Sequence, residues 1–262
     1  MTLFRAALWA EALKARRSKV PWLTALGFSL APLMGGLFMV ILKNPERARF
    51  WGLISAKAQL AAGVADWPTF LGLLAQATAV GGALLFTIVT TWVFGREFAD
   101  RTAKNLLALP TPRAAIVSAK FAVVVLWAAI LTALVYGLGL VVGVAVGLPG
   151  WSMALMWQGA SNLVITAGLT LALMPPIALL ASAGRGYLPP IGWAFLTTFL
   201  AQIVAVIGWG AWFPWSVPAL FSELAGPRAM QLGVQSYIIV AMTLAAGLAA
   251  TFAWWHSADQ TR

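Results

Sequence analysis

Long apolar stretches recur along the chain, separated by short segments where charges, prolines and glycines gather. Six of them, at 21–42, 67–94, 114–147, 155–183, 188–212 and 235–256, are long enough to cross a bilayer core, which needs about 20 apolar residues in a helix. They are continuous rather than alternating, and far longer than the roughly ten residues of a barrel strand, so the pattern predicts helices. The expected fold is all-α and polytopic, with six transmembrane helices. No linker divides the spans, so residues 1–262 read as one transmembrane domain. Met174, Pro175 and Pro176 interrupt the fourth run; two adjacent residues without backbone donors predict a kink or break there.

The segments between the runs form four regions. Residues 1–20 are a basic leader, 43–66 an amphipathic loop, 95–113 a charged loop, and 213–234 an aromatic and proline-rich loop. In the leader, Phe4, Leu8, Trp9, Ala12 and Leu13 sweep one broad helical side into which Arg5 and Arg16 intrude. Its amphipathicity is weak, and it is read as an interfacial helix held electrostatically against anionic headgroups. In the 43–66 loop, Phe50, Trp51, Leu53, Ile54, Ala58, Leu60 and Ala61 share an arc that Lys57 enters, as in an in-plane helix with snorkelling cations.

Composition confirms the solvent: 61% of residues are hydrophobic and mean hydropathy is +0.89. The first run is longer than a signal-peptide core and lacks an Ala-x-Ala site, so it is expected to stay as the first span. With the N-terminus cytoplasmic, about twelve cations fall inside (Arg5, Lys14, Arg16, Arg17, Lys19, Arg96, Arg101, Lys104, Arg113, Lys120, Arg185 and Arg262). About five fall outside: Lys43, Arg47, Arg49, Lys57 and Arg228. The excess places both termini in the cytoplasm.

The residue inventory excludes most enzyme classes. There is no cysteine and a single histidine, His256, beside Trp254 and Trp255 at the end of the last run. Zinc sites and Ser-His-Asp or Cys-His sites therefore lack their parts, and no catalytic or metal-binding residue is expected. No Gly-x-x-x-x-Gly-Lys-Ser/Thr loop is present, so the chain does not bind ATP by that route. The predicted spans hold almost no ionisable residue away from their ends, which removes the buried acids common in ion-coupled carriers. Two classes stay open: a transporter powered by another polypeptide, and a secondary carrier or membrane scaffold without ATP linkage.

Charge concentrates in one place. Six of the chain's 24 charged residues lie in Gly95–Ala115. From Arg96 to Leu109 this stretch is helix-compatible, with Phe98, Thr102, Leu106 and Leu109 as a stripe, and Glu97 with Arg101 and Asp100 with Lys104 as i,i+4 pairs. Pro110 and Pro112 end it.

The series Glu97, Arg101, Thr102, Lys104, Leu106, Leu107, Pro110, Arg113 and Lys120 resembles the acid-x(4)-Thr, Leu-Leu, Pro-x-x-Arg and Lys pattern after span two of type-2 ABC exporter membrane subunits. The likeness is greatest to the six-span permeases of bacitracin-resistance and lantibiotic-immunity systems, and covers the whole chain in layout. Many such permeases have Gly before the Thr, where this chain has Arg101. "WFPWSVPALFSELAGP", Trp212 to Pro227, is similar to the family's Pro-Trp-Ser-x-Pro turn. Pro214 and Pro218 prevent a continuous helix there, Trp212 and Trp215 suit an interfacial belt, and Glu223 is the loop's one acid.

The resemblance implies a permease subunit of an ATP-driven exporter in a bacterial cytoplasmic membrane. A cytoplasmic coupling helix formed by Glu97, Arg101, Thr102, Lys104, Leu106, Leu107, Pro110 and Arg113 would dock on a separate ATPase, which holds the ATP and Mg. An outer re-entrant segment would include Pro214, Trp215, Pro218 and Glu223. The implied partners are two ATPase copies, a second permease, same or paralogous, and membrane lipids, with no nucleic acid. Antimicrobial peptides, lipids and small ions are all carried by relatives. The polar residues Gln76, Asn162, Thr166, Thr170, Thr198 and Gln202 suit either a pathway lining or interhelical hydrogen bonds. Gly139, Gly143 and Gly147 form a smooth ridge, packing internally or against a second permease.

Overall fold

The computed structural model describes residues 3–44, 64–108, 110–222 and 232–258, with Leu107 described by its backbone only. The amphipathic arc at 50–61, Glu223, Leu109, Arg228 and Arg262 lie outside those residues. The described helices are α1 (Leu3–Arg17), α2 (Val20–Lys43), α3 (Trp67–Ala99), α4 (Ala103–Leu107), α5 (Arg113–Val146), α6 (Met153–Ala172), α7 (Met174–Ala183), α8 (Leu188–Val206), α9 (Val217–Ser222) and α10 (Val234–Ser257). Among the described residues, six segments are long and apolar enough to span a membrane: α2, α3, α5, α6 with α7, α8 and α10. All six expected runs are therefore present. The fifth is shorter than expected, because Gly208 takes φ +86° just after α8, while the second continues through the charged residues to Ala99.

The interruption in the fourth span falls at Leu173, immediately before the proline pair. Pro175 and Pro176 enter the first turn of α7, where a missing donor costs least. The gap they create is filled from α10: a Cβ on Gly247 would lie 2.6 Å from Pro176 Cδ, so only glycine admits the contact. Thr251 Oγ1 donates to the Pro175 carbonyl at 3.2 Å.

The third helix is the hub, packing on α2, α5, α6, α7, α8 and α9. The glycine ridge of α5 turns inward against it. A Cβ at Gly139 would lie 2.4 Å from Leu74, and one at Gly143 would lie 2.3 Å from Trp67, so α5 approaches α3 more closely than any larger residue permits. By contrast, α2 and α8 expose Trp22, Leu23, Leu26, Phe195, Leu196 and Phe199, an apolar coat suited to lipid.

Two ends of the bundle are distinct. Lys43 Nζ donates to the Val146 and Gly147 carbonyls, each at 3.1 Å, at the end where α3 begins, and Trp67 meets Trp151 edge-on at 5.0 Å. The other, leader end collects α1, the close of α3, the start of α5 and the close of α10. Four helices stop with paired 6→1 and 5→2 backbone bonds around a left-handed residue. At the ends of α5 and α8 that residue is Gly147 or Gly208; at the ends of α3 and α7 it is Arg101 (φ 57°) or Arg185 (φ 53°).

Candidate functional site

At the leader end the chain breaks between α3 and α4. Thr102 N–H donates to the Glu97 carbonyl at 2.8 Å and Arg101 N–H to Phe98 at 3.2 Å, so α3 closes at Ala99 and a single-turn α4 restarts at Ala103. This corrects the expectation of one helix from Arg96 to Leu109. The left-handed Arg101 reverses the path, and the Glu97–Arg101 and Asp100–Lys104 pairs do not form. Asp100 instead receives Arg96 Nε at 3.2 Å, while Arg96 lies over the Trp92 ring at 5.0 Å. The proline stop at 110–112 follows α4 as expected.

Glu97 turns into the protein and joins a four-charge network. Lys14 Nζ reaches Glu11 Oε1 and Glu97 Oε1, both at 2.7 Å. Lys120 Nζ reaches Glu11 Oε2 at 3.1 Å, Glu97 Oε1 at 3.2 Å and the Val93 carbonyl at 2.7 Å. Thr102 Oγ1 donates to Glu97 Oε2 at 2.9 Å, tying the α3–α4 break to the same carboxylate. Lys120 is fully buried, and the Glu11 and Glu97 side chains are only 7% and 6% exposed. Two lysines and two glutamates sum to zero, the condition under which buried charge is tolerable. Burial opposes the charge on Lys14, yet Glu11 and Glu97 outweigh it and hold its pKa above the ordinary lysine range. Both buried acids lie outside the span interiors, Glu11 on the leader helix and Glu97 in the last turn of α3, and each is paired with Lys14 and Lys120.

The network joins three elements distant in sequence. Leu8, Glu11 and Ala15 form the inward side of α1, which packs along the start of α5, while Phe4 and Trp9 stay exposed. Arg113 takes a separate position: its Nη1 donates to the carbonyls of Trp255, His256 and Ala258 at 3.1, 2.8 and 3.1 Å, capping α10. Phe98 packs edge-on to Trp254 and Trp255. Of the expected coupling residues, Glu97 is buried and Arg113 half-buried as anchors of the bundle, and Thr102 is exposed but tied to Glu97 through its hydroxyl. Arg101, Lys104 and Pro110 are exposed, Leu106 is half-buried, and Leu107 is described by its backbone alone. The sequence reading missed Glu11 and Lys14. Their signal was present: Glu11 is the one acid before Glu46, set four residues ahead of Ala15 on a basic leader.

The opposite end holds the proline-rich turns. Short 3-10 turns at Gly210–Trp212 and Pro214–Ser216 lead into α9, where Val217, Leu220 and Ser222 are buried. Ser216 Oγ donates to the Gly210 and Phe213 carbonyls, and Ser236 Oγ to Ala211 at 2.8 Å, so the turns are fastened to each other and to α10. Leu220 and Pro218 line a cavity of about 50 Å³ together with Ala79 and Ala83 of α3, so α9 enters the bundle by about three turns of α3. Trp215 lines the same cavity.

The remaining polar residues divide. Thr170, Thr198 and Gln202 line that cavity. Asn162 and Thr166 are buried on α6, with Asn162 Oδ1 and Thr166 Oγ1 lacking hydrogen-bond partners among the described residues, as do the hydroxyls of Thr78, Thr90 and Thr91 on α3. Thr170 Oγ1 donates back to the Thr166 carbonyl at 2.8 Å. Gln76 is exposed, and Gln202 is exposed where it borders the cavity.

Comparison with known proteins places this architecture. The bacitracin transport permease protein BCRB of Bacillus licheniformis is 29% identical over 179 residues, covering 68% of this chain and 85% of that protein. No solved structure matches the chain significantly. The profile of the family described as ABC-2 family transporter protein matches residues 7–201, which include α1, the α3–α4 break and the ion network. The chain belongs to the ABC-2 transporter family and is a multi-pass permease subunit of an ABC exporter.

Proposed function

We propose that this permease takes its driving force from a separate ATPase through the Asp100–Pro112 segment, and that the network of Glu11, Lys14, Glu97 and Lys120 makes α1, α3 and α5 respond together. The observation that carries the proposal is the Thr102–Glu97–Lys120 chain of contacts, which connects the exposed break directly to two spans and the leader helix. Arg101, Lys104 and Leu106 form the surface offered to the ATPase, and Glu97, Thr102, Pro110 and Arg113 hold it in place. The chain does no chemistry on its passenger, and ATP with Mg resides in the ATPase.

Both termini are cytoplasmic in this reading and the membrane is the bacterial cytoplasmic membrane, consistent with the surplus of Lys and Arg at the leader end. Two ATPase copies and a second permease complete the exporter. Gln76 supports the second permease: an amide facing lipid is costly, and a neighbouring copy over α3 would cover it. Pro214, Trp215 and Pro218 close the outer end, and Thr198, Gln202 and Thr170 border the route beneath. The passenger is an antimicrobial peptide, by analogy with the bacitracin transport permease.

Liposomes holding the permease with its ATPase are predicted to accumulate peptide only when ATP is supplied. Arg101→Glu or Leu106→Asp should abolish transport while leaving the permease folded. Transport by the permease alone, or full transport by both variants, contradicts the proposal. Susceptibility of a deletion strain to a panel of peptide antibiotics identifies the passenger.

A further inference from the structure

We propose that the junction of α1 and α2 holds the phosphate of an anionic phospholipid from the inner leaflet, bound by Arg17, Arg96 and Lys14. A depression of about 230 Å³ is lined by Leu13, Lys14, Arg17, Ser18 and Arg96, three cations with no acid among them; the Ser18 hydroxyl donates to the Ala15 carbonyl at 3.0 Å. Arg17 has no carboxylate partner among the described residues. Lys14 spends two of its three donors on Glu11 and Glu97, leaving one for a ligand. Arg96 gives Nε to Asp100, which leaves its terminal guanidinium nitrogens.

The depth of the site selects a lipid. The depression lies where α2 begins and α3 closes, beside Trp92 beneath Arg96, with Trp22 78% exposed on the first turn of α2. Tryptophan and arginine at a span end mark the headgroup layer. A basic pocket between spans at the cytoplasmic side is the usual setting for anionic headgroups. Because Lys14 belongs both to this site and to the ion network, an occupied site also braces the α3–α4 break. The inference rests on the cytoplasmic placement of the leader proposed above.

The test uses the permease purified with its ATPase and reconstituted in nanodiscs of phosphatidylglycerol and phosphatidylcholine, with bound lipid counted by native mass spectrometry. Wild type is expected to retain phosphatidylglycerol, and Arg17→Gln with Arg96→Gln to reduce retention by roughly thirtyfold, about fivefold per cation. Arg5→Gln with Arg16→Gln removes the same charge elsewhere on α1 and should retain the lipid. Equal retention in both double variants overturns the site, as does displacement by inorganic phosphate as readily as by phosphatidylglycerol, which would make it a soluble-anion site. Lipid retention is read without transport, so loss of lipid binding and loss of ATP coupling are separable results.

Discussion

Replacing Lys120 by Met keeps the length of the side chain and removes its charge from a position with no solvent access. Glu11 and Glu97 then face one another with only Lys14 between them. Breaking a buried ion pair typically costs about 3–5 kcal/mol, much of it the penalty of the charge left behind. Lys14 still contacts both carboxylates at 2.7 Å, which puts Lys120→Met near the lower end, about 3 kcal/mol. Lys14→Met removes a lysine that is 30% exposed, so solvent screens the loss and the cost is about 1 kcal/mol. The cycle of Lys120→Met, Glu11→Gln and their combination is the decisive comparison. The double variant keeps one Glu97–Lys14 pair and restores neutrality, so it should be more stable than the summed singles by about 2 kcal/mol. Equilibrium unfolding in mixed micelles measures each corner. Additive single effects, or a Lys120→Met cost below about 1 kcal/mol, would refute the reading of this cluster as a buried, mutually compensating network.

Other positions give independent tests. Gly143→Ala, whose Cβ would meet Trp67 at 2.3 Å, should lose about 1–3 kcal/mol by overpacking, whereas Gly137→Ala, with nothing within 4 Å, should be neutral or slightly stabilising; the same unfolding assay separates them. Arg101→Gly should raise stability by about 0.5 kcal/mol, since relief of a left-handed arginine exceeds the added freedom of the unfolded chain, and Arg101→Val should lower it. Arg113→Met removes three bonds to the end of α10 and is expected to cost about 1–2 kcal/mol, with faster amide exchange confined to residues 250–258.

The six spans and the broken fourth were legible because length and hydropathy act locally: a 20-residue apolar run has few alternatives in a bilayer. The location of the helix stop at Asp100 was not. Arg101 is an acceptable helix former by propensity, and only the tertiary pull on Glu97 and Thr102 makes the left-handed turn preferable to another helical residue. The motif series drew attention to Glu97 and Lys120 by position in the chain, but gave no hint that both point inward onto the leader. Glu11 and Lys14 sit in a weakly amphipathic basic leader and pair with each other locally, but their partners Glu97 and Lys120 lie 83 and 109 residues away, beyond the reach of a local pattern. Conversely, the inward packing of the α5 glycines required knowing that Trp67 and Leu74 present their side chains to that face.

The most direct measurement uses the chain's lack of cysteine. A single Lys104→Cys placed in α4 can be labelled with a membrane-impermeant thiol reagent or, in a parallel sample, joined to the ATPase by a thiol-reactive cross-linker. The account predicts labelling in inside-out vesicles but not in intact cells, cross-linking to the ATPase, and protection when the ATPase is bound. Labelling from the cell exterior, or ATP-driven transport that persists when position 104 carries a bulky adduct, would contradict it.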